Sequence, residues 1–136
     1  MTIVGFLFTK MHAEKKEGTK GKINISNNVS VKDVKESETA FSSENQKTIS
    51  FQFFFTSKYE PDVGEISLEG NVIYMGKKDE VKKIMASWKK DKKIDKDIMK
   101  NILNTILTKC NIEALILSRE ISLPPPIPLP KVEQKE

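Results

Sequence analysis

The 136-residue chain is predicted to fold as an α+β domain. In this fold a four-stranded antiparallel sheet is followed by two helices packed on one of its faces and by a proline-rich extended strap. Apolar residues alternate with polar ones in four segments before residue 76, which is typical of strands with one buried face. The apolar spacing then changes to three and four residues, which indicates helices. Residues 124–130 contain five prolines, which no helix can accommodate, so the chain must leave its last helix as an extended segment.

The first two strands carry the less regular patterns. Val4, Phe6 and Phe8 alternate, although apolar neighbours on the other face suggest a strand that is buried on both sides at its start. A polar turn with two glycines follows at residues 15–22. Residues 23–31 place isoleucines and valines on one parity, which predicts a half-buried second strand with a possible bulge at its two asparagines.

The third and fourth strands form a predicted hairpin. Residues 49–59 place Ile, Phe and Tyr side chains on one parity, and Phe54 faces the other way. After a polar loop over residues 37–47, this strand leads into the turn at residues 60–64, which contains Pro, Asp and Gly. Residues 66–75 form the fourth strand, whose second face carries Ile73 and Met75 near its end. The alternating phenylalanines at 51, 53 and 55 are expected to be core.

Two helices complete the predicted elements. A single apolar stripe defines the first helix: Val81, Ile84, Met85 and Trp88. The second helix spans about residues 95–121, with Asp95 as its N-cap and Asn111 as a candidate position for a break or bend.

The apolar surface of the second helix exceeds what a four-stranded sheet can cover. Between residues 112 and 121 little of the helix is polar, and a helix that is apolar on nearly all sides is buried from more than one direction. Self-association would cover this apolar surface. Alternatively, the strap and the first helix of the same chain cover it. The strap, with Leu123, Ile127 and Leu129, has three possible positions: on its own domain, on a neighbouring protomer, or free as a polyproline ligand.

Composition limits the class of protein. The chain length suits one domain over residues 1–132, with a flexible tail at 133–136. No segment approaches the ~20 apolar residues that span a bilayer, and residues 3–8 are too short for a signal peptide, so a soluble cytoplasmic protein is expected. The net charge is +4, and 22 of the 23 basic residues are lysines. Lysine attracts polyanions loosely but lacks the forked geometry with which arginine contacts bases and phosphates.

One stretch of sequence resembles a known family. Residues 118–124, Ser-Arg-Glu-Ile-Ser-Leu-Pro, and the following stretch 127–132, Ile-Pro-Leu-Pro-Lys-Val, resemble the end of the long helix in SecB-like chaperones and the segment that follows it. The hairpin formed by residues 51–59 and 64–75, followed by the Trp88 helix, resembles the central part of that fold. The resemblance, which covers about residues 3–132, implies self-association, often as a dimer of dimers, and binding of unfolded or extended polypeptide in apolar grooves.

This reading predicts a chaperone-like protein that is not an enzyme. Surface lysines would favour acidic clients and speed encounter. The candidate peptide-binding residues are aromatic or flexible apolar side chains: Phe54, Tyr59, Ile73, Met75 and Trp88. The candidate oligomer interface comprises apolar residues: Val4, Phe6, Ile102, Ile106 and Leu115.

Two alternatives compete with this function. The lysine-rich region of residues 77–100 could bind RNA or a ribosome by counterion release, through Lys82, Lys83, Lys89 and Lys90. More often such a run is the solvated face of helices, as the interleaved acids suggest. The other alternative is a structural subunit of a larger complex.

Catalysis, cofactors and metal binding are not expected. His12 and Cys110 are the single histidine and cysteine, and nothing in the sequence supplies a third, orienting group for a nucleophile. Residues 18–22 lack the spacing of a phosphate-binding loop. The acidic residues Asp33, Glu36 and Glu38 lie close in sequence without the spacing of a ligand set.

Overall fold

The computed structural model describes residues 2–17, 21–37 and 45–130. Four antiparallel strands form one sheet in the order β1-β4-β3-β2, and two helices follow. The elements are β1 Thr2–Lys15, β2 Asn24–Ser37, β3 Gln46–Glu60, β4 Gly64–Lys77, α1 Lys78–Asp91 and α2 Lys96–Glu120. The predicted α+β class and the order of elements are confirmed, and β1 and β2 are the edges of the sheet.

The core lies between one face of the sheet and the two helices. β3 and β4 alternate between buried and less buried residues along their length, as period-two patterns require. Phe51, Phe53 and Phe55 are fully buried and, as predicted, face the helices. α2 contacts all four strands, so the helical layer crosses the sheet. No described helix or strand packs against the opposite face of the sheet, called the outer face below.

Two irregularities in β1 change which residues face the core. The pairing of β1 with β4 shifts between Ile3 and Gly5 and again between Phe8 and Lys10, so each shift adds a residue to β1. Ile3, Phe6 and Phe8 therefore pack against the core, and Val4 is 36% exposed. The prediction that Val4 shares a face with Phe6 is wrong for this reason.

Local capping explains where the helices begin and end. The Asp95 carboxylate accepts hydrogen bonds from the backbone N–H groups of Asp97 and Ile98 at 3.2 and 3.4 Å, which confirms it as the N-cap of α2. Lys92 adopts a left-handed conformation and ends α1. α2 runs without interruption through Asn111, so no break occurs there.

The strap begins with a defined turn at the end of α2. Ser122 has a φ of 58°, its N–H donates to the Arg119 carbonyl, and the N–H of Leu123 donates to the Ser118 carbonyl at 2.8 Å. This pair of bonds is the Schellman motif, which reverses the chain and buries the residue that follows. Leu123 and Pro126 are buried, and the strap packs on its own domain as far as Ile127, beyond which residues 128–130 are exposed.

Some predictions fall outside the described residues. The predicted tail at 133–136 is among them, as are parts of the loops predicted at 15–22 and 37–47. Within the ranges that are described, no helix is long and apolar enough to cross a bilayer.

Candidate functional site

The candidate site is an apolar groove between α2 and the edge strand β2. Val29 of β2 pairs with the fully buried Phe55 and so faces the helices, yet it is only half-buried. Val29 remains partly exposed because the buried residues of α2, Ile102 and Ile106, pack nearer the middle of the sheet. The next residues around that helix, among them Leu103, lie over β2 and form the second wall of the groove.

The lining of this β2–α2 groove is mostly apolar and its rim is basic. Its apolar lining residues are Val29, Ile94, Met99, Leu103 and Leu107. Lys96, Lys100 and Asn104 add polar groups from α2. The groove has a volume of about 440 Å³, so a few extended residues fit into it.

Two further apolar pockets lie beside the strap. One lies between the strap and β2, where Ile25 is 37% exposed, and it has a volume of about 520 Å³. The other lies between the strap and the last turns of α2, where Leu115 and Ile116 line about 490 Å³. Pro125 and Leu129 line both pockets, so the strap forms the wall between them.

Two side chains hold the strap through its backbone. The Tyr59 hydroxyl donates to the Pro124 carbonyl at 2.7 Å, and the Asn27 amide donates to the Pro126 carbonyl at 2.9 Å. The Asn27 side-chain oxygen in turn accepts from the Ser57 hydroxyl at 2.6 Å. Burial raises the pKa of Tyr59 to about 12, so its phenol remains a donor throughout the physiological range.

The structure does not bring the five predicted peptide-binding residues into one groove. Tyr59 is 1% exposed and Trp88 is 9% exposed, and both are part of the core, so neither offers a peptide much surface. Phe54, Ile73 and Met75 are half-buried on the outer face, on the opposite side of the sheet. Phe54 also lies under an ammonium group there, with Lys32 Nζ 4.0 Å from its ring centroid.

The predicted interface residues also separate. Ile102 and Ile106 are fully buried against the sheet of their own chain and have no surface left for a partner. Phe6 stacks on Phe53 with ring centroids 5.1 Å apart and is half-buried. Val4 is on an exposed edge, and Leu115 lines the pocket between α2 and the strap.

The four lysines proposed for polyanion binding are exposed on α1. Val81, Ile84 and Trp88 face the core, so Lys82, Lys83, Lys89 and Lys90 lie on the solvent side. Glu36 lies near enough to Lys82 and Lys89 for their charges to lower its pKa, although Lys47, whose ammonium lies 2.8 Å away, is the largest cause.

The groove residues Val29, Leu103 and Leu107 were not identified as binding residues from the sequence. A signal for them does exist, since the apolar face of α2 is wider than one buried stripe needs. The position of α2 relative to β2, which the sequence leaves open, decides which part of that face remains uncovered.

Comparison with solved structures identifies the fold. The chain is similar to a SecB-like chaperone, Rv1957 of Mycobacterium tuberculosis, solved in complex with a ChAD peptide from the Rv1956 HigA1 antitoxin. The TM-score is 0.56 at 10% sequence identity, over 99% of this chain and 92% of that chain. A scan against protein-family models and a search of curated proteins found no match. The chain therefore has a SecB-like fold, as its sequence predicts.

Proposed function

We propose that the protein is a chaperone-like polypeptide-binding protein that holds extended segments of unfolded clients in the β2–α2 groove. The observation that supports this most directly is an apolar groove that no described residue covers, beside the edge strand β2. Apolar surface that remains open in the folded chain gains free energy when a client covers it, at about 25 cal/mol per Å². The peptide bound to the SecB-like chaperone of similar fold supports the same class of ligand.

The groove also favours a type of client. Its contacts are apolar side chains rather than spaced hydrogen-bonding groups, so it would accept many sequences with low specificity. Met99 suits such a site because its side chain adapts to different partners. Lys96 and Lys100 on the rim would favour segments in which acidic residues flank apolar ones.

A matched pair of α2 variants tests this proposal. Leu107→Gln removes an apolar groove residue, whereas Ile112→Gln changes an aliphatic residue on the same helix that is 55% exposed away from the groove. The measurements are suppression of aggregation of a chemically unfolded protein and the Kd for a fluorescent apolar peptide. Leu107→Gln should weaken both about tenfold or more, and Ile112→Gln should not. Equal activity of the two variants, with both folded by circular dichroism, would exclude the groove as the binding site.

The exposed lysines of α1 favour a second candidate, binding of RNA or a ribosome. Salt separates the two functions, because contacts to phosphates weaken steeply between about 50 and 200 mM salt whereas apolar contacts do not. Changing Lys82, Lys83, Lys89 and Lys90 to glutamate should abolish RNA binding and leave binding of the apolar peptide nearly unchanged.

We also propose that the protein acts in the cytoplasm as a homo-oligomer, a dimer or a dimer of dimers. Exposed apolar residues on two different faces support self-association: Leu7 on the outer face is 43% exposed, and Ile112 on α2 is 55% exposed. Light scattering on the purified full chain measures the mass directly. A particle with the 15.5 kDa mass of one chain at micromolar concentration would exclude self-association.

A further inference from the structure

A cluster of metal-ligating side chains lies on the outer face of the sheet, away from the groove. His12 and Glu14 are two residues apart on β1 and therefore share a face, and Glu65 of β4 lies directly opposite Glu14. His12 Nε2 is 3.6 Å from a Glu14 carboxylate oxygen and 3.8 Å from a Glu65 carboxylate oxygen. One ligand atom from each of the three lies within 4.8 Å of the other two.

The charges in this cluster favour a cation. Glu14 and Glu65 are like charges directly opposite each other on neighbouring strands, an arrangement that destabilises a sheet. The nearby Lys16 directs its ammonium to Asp62 at 2.8 Å. Lys58 of β3 lies opposite Glu65, on the side of β4 away from β1. Among the described residues, His12 is the basic group with a nitrogen within 4.0 Å of both carboxylates.

The distances resemble those around an ion more than those of hydrogen bonds. Both exceed the ~2.7–3.2 Å of a hydrogen bond from nitrogen to oxygen. Ligand atoms about 2.1 Å from a tetrahedral zinc ion lie about 3.4 Å apart. The two distances from His12 Nε2, 3.6 and 3.8 Å, are close to this spacing, and the Glu14 and Glu65 oxygens lie within 4.8 Å of each other. One imidazole with two carboxylates is a ligand set of the kind that zinc accepts, with water at the fourth position.

We propose that His12, Glu14 and Glu65 bind a zinc-like divalent transition-metal ion. The ion would join the edge strand β1 to β4 at the end of the sheet where the strap begins. The strap packs against the backbone at this end of the sheet. A Cβ added to Gly64 would lie only 2.5 Å from the Glu14 carbonyl oxygen and 3.3 Å from the Leu123 side chain. Occupancy would therefore stabilise both the edge strand and the backbone on which Leu123 rests.

Zinc titration of the untagged full-length protein by isothermal calorimetry tests the proposal. The wild type should bind one zinc ion per chain, and its thermal midpoint should rise with zinc. His12→Ala, Glu14→Gln and Glu65→Gln should each weaken binding at least tenfold and lose the rise. Glu69→Gln is the matched control, because this residue lies on the same strand and face, opposite Lys10. Its zinc affinity should equal that of the wild type.

One further measurement keeps the test decisive. Magnesium and calcium, which prefer oxygen ligands, should not compete at equal concentration. The proposal is overturned if His12→Ala binds zinc as tightly as the wild type, or if magnesium displaces zinc. His12 is exposed, so its replacement should leave the fold unchanged, which circular dichroism can verify.

Discussion

Removal of the two hydrogen bonds that hold the strap should lower the free energy of unfolding by a measurable amount for each bond and increase the mobility of the strap. Tyr59→Phe removes the donor to the Pro124 carbonyl, which is half-buried and can recover a bond to water, so we expect a loss of about 1 kcal/mol. Asn27→Ala should cost more, about 2–3 kcal/mol. It removes the donor to Pro126 and also leaves the fully buried Ser57 hydroxyl without its acceptor.

The double variant shows whether the two contacts act on one segment. If both bonds hold the same strap, the second loss should cost less once the first has loosened it, so the double variant should fall short of the sum by about 0.5–1 kcal/mol. Urea unfolding gives the free energies, and methyl NMR relaxation of Leu123, Ile127 and Leu129 reports the mobility of the strap.

Tyr74→Phe is the matched control for the strap experiment. Tyr74 is the other buried tyrosine, and its ring packs against Phe51, away from the strap. Its variant should lower stability without changing strap mobility. If Tyr59→Phe leaves the strap methyl groups as rigid as in the wild type, or if Tyr74→Phe loosens them equally, the two hydrogen bonds do not hold the strap.

Three other predictions follow from single positions. Burial raises the pKa of Tyr59 from 10.0 to about 12, so the phenolate forms more easily in the unfolded chain than in the folded one. The free energy of unfolding should therefore keep its full value below pH 10 and fall by about 2–3 kcal/mol as the pH rises to 12, which urea unfolding at several pH values would show. Ser122→Val should lower the free energy of unfolding by about 1–2 kcal/mol because a β-branched residue is strained at a φ of 58°, whereas Ser122→Gly in the same assay should not. Ile106→Ala should cost about 2–5 kcal/mol, since the side chain is fully buried and leaves a cavity; a urea midpoint equal to that of the wild type would contradict the placement of α2.

The architecture could be predicted because its signals are local. The alternation in β3 and β4 places Phe51, Phe53 and Phe55 on one face, and burial against helices follows directly from that parity. The stop of α2 was equally clear, because the prolines after Leu123 exclude a continued helix. Asp95 is a good N-cap wherever a helix begins beside it.

The site was harder to predict because it depends on long-range placement. Parity places Tyr59 on the face of the core phenylalanines and Phe54 on the opposite face, so these two predicted binding residues lie on opposite sides of the sheet. Bulges in β1 moved Val4 off the face that simple alternation gives it. The metal cluster joins His12 and Glu14 to Glu65, a residue about fifty positions away in the chain, so no local spacing could reveal it.

The open groove results from the geometry of one helix on a four-stranded sheet. α2 packs Ile102, Ile106 and Cys110 against the sheet, and its neighbouring apolar residues Leu103 and Leu107 then extend beyond the covered strands to the edge strand β2. The strap covers the other part of that edge, where the Asn27 amide and the Tyr59 hydroxyl hold two of its backbone carbonyls and Leu123 is buried. This part of the fold therefore already holds one extended apolar segment, through backbone hydrogen bonds as well as apolar contacts, whereas the proposed client contacts in the groove are apolar. The part of the β2 edge beside Val29 is also apolar, and no described segment of the chain covers it. We propose that a client binds there, on a surface that is already formed in the folded chain.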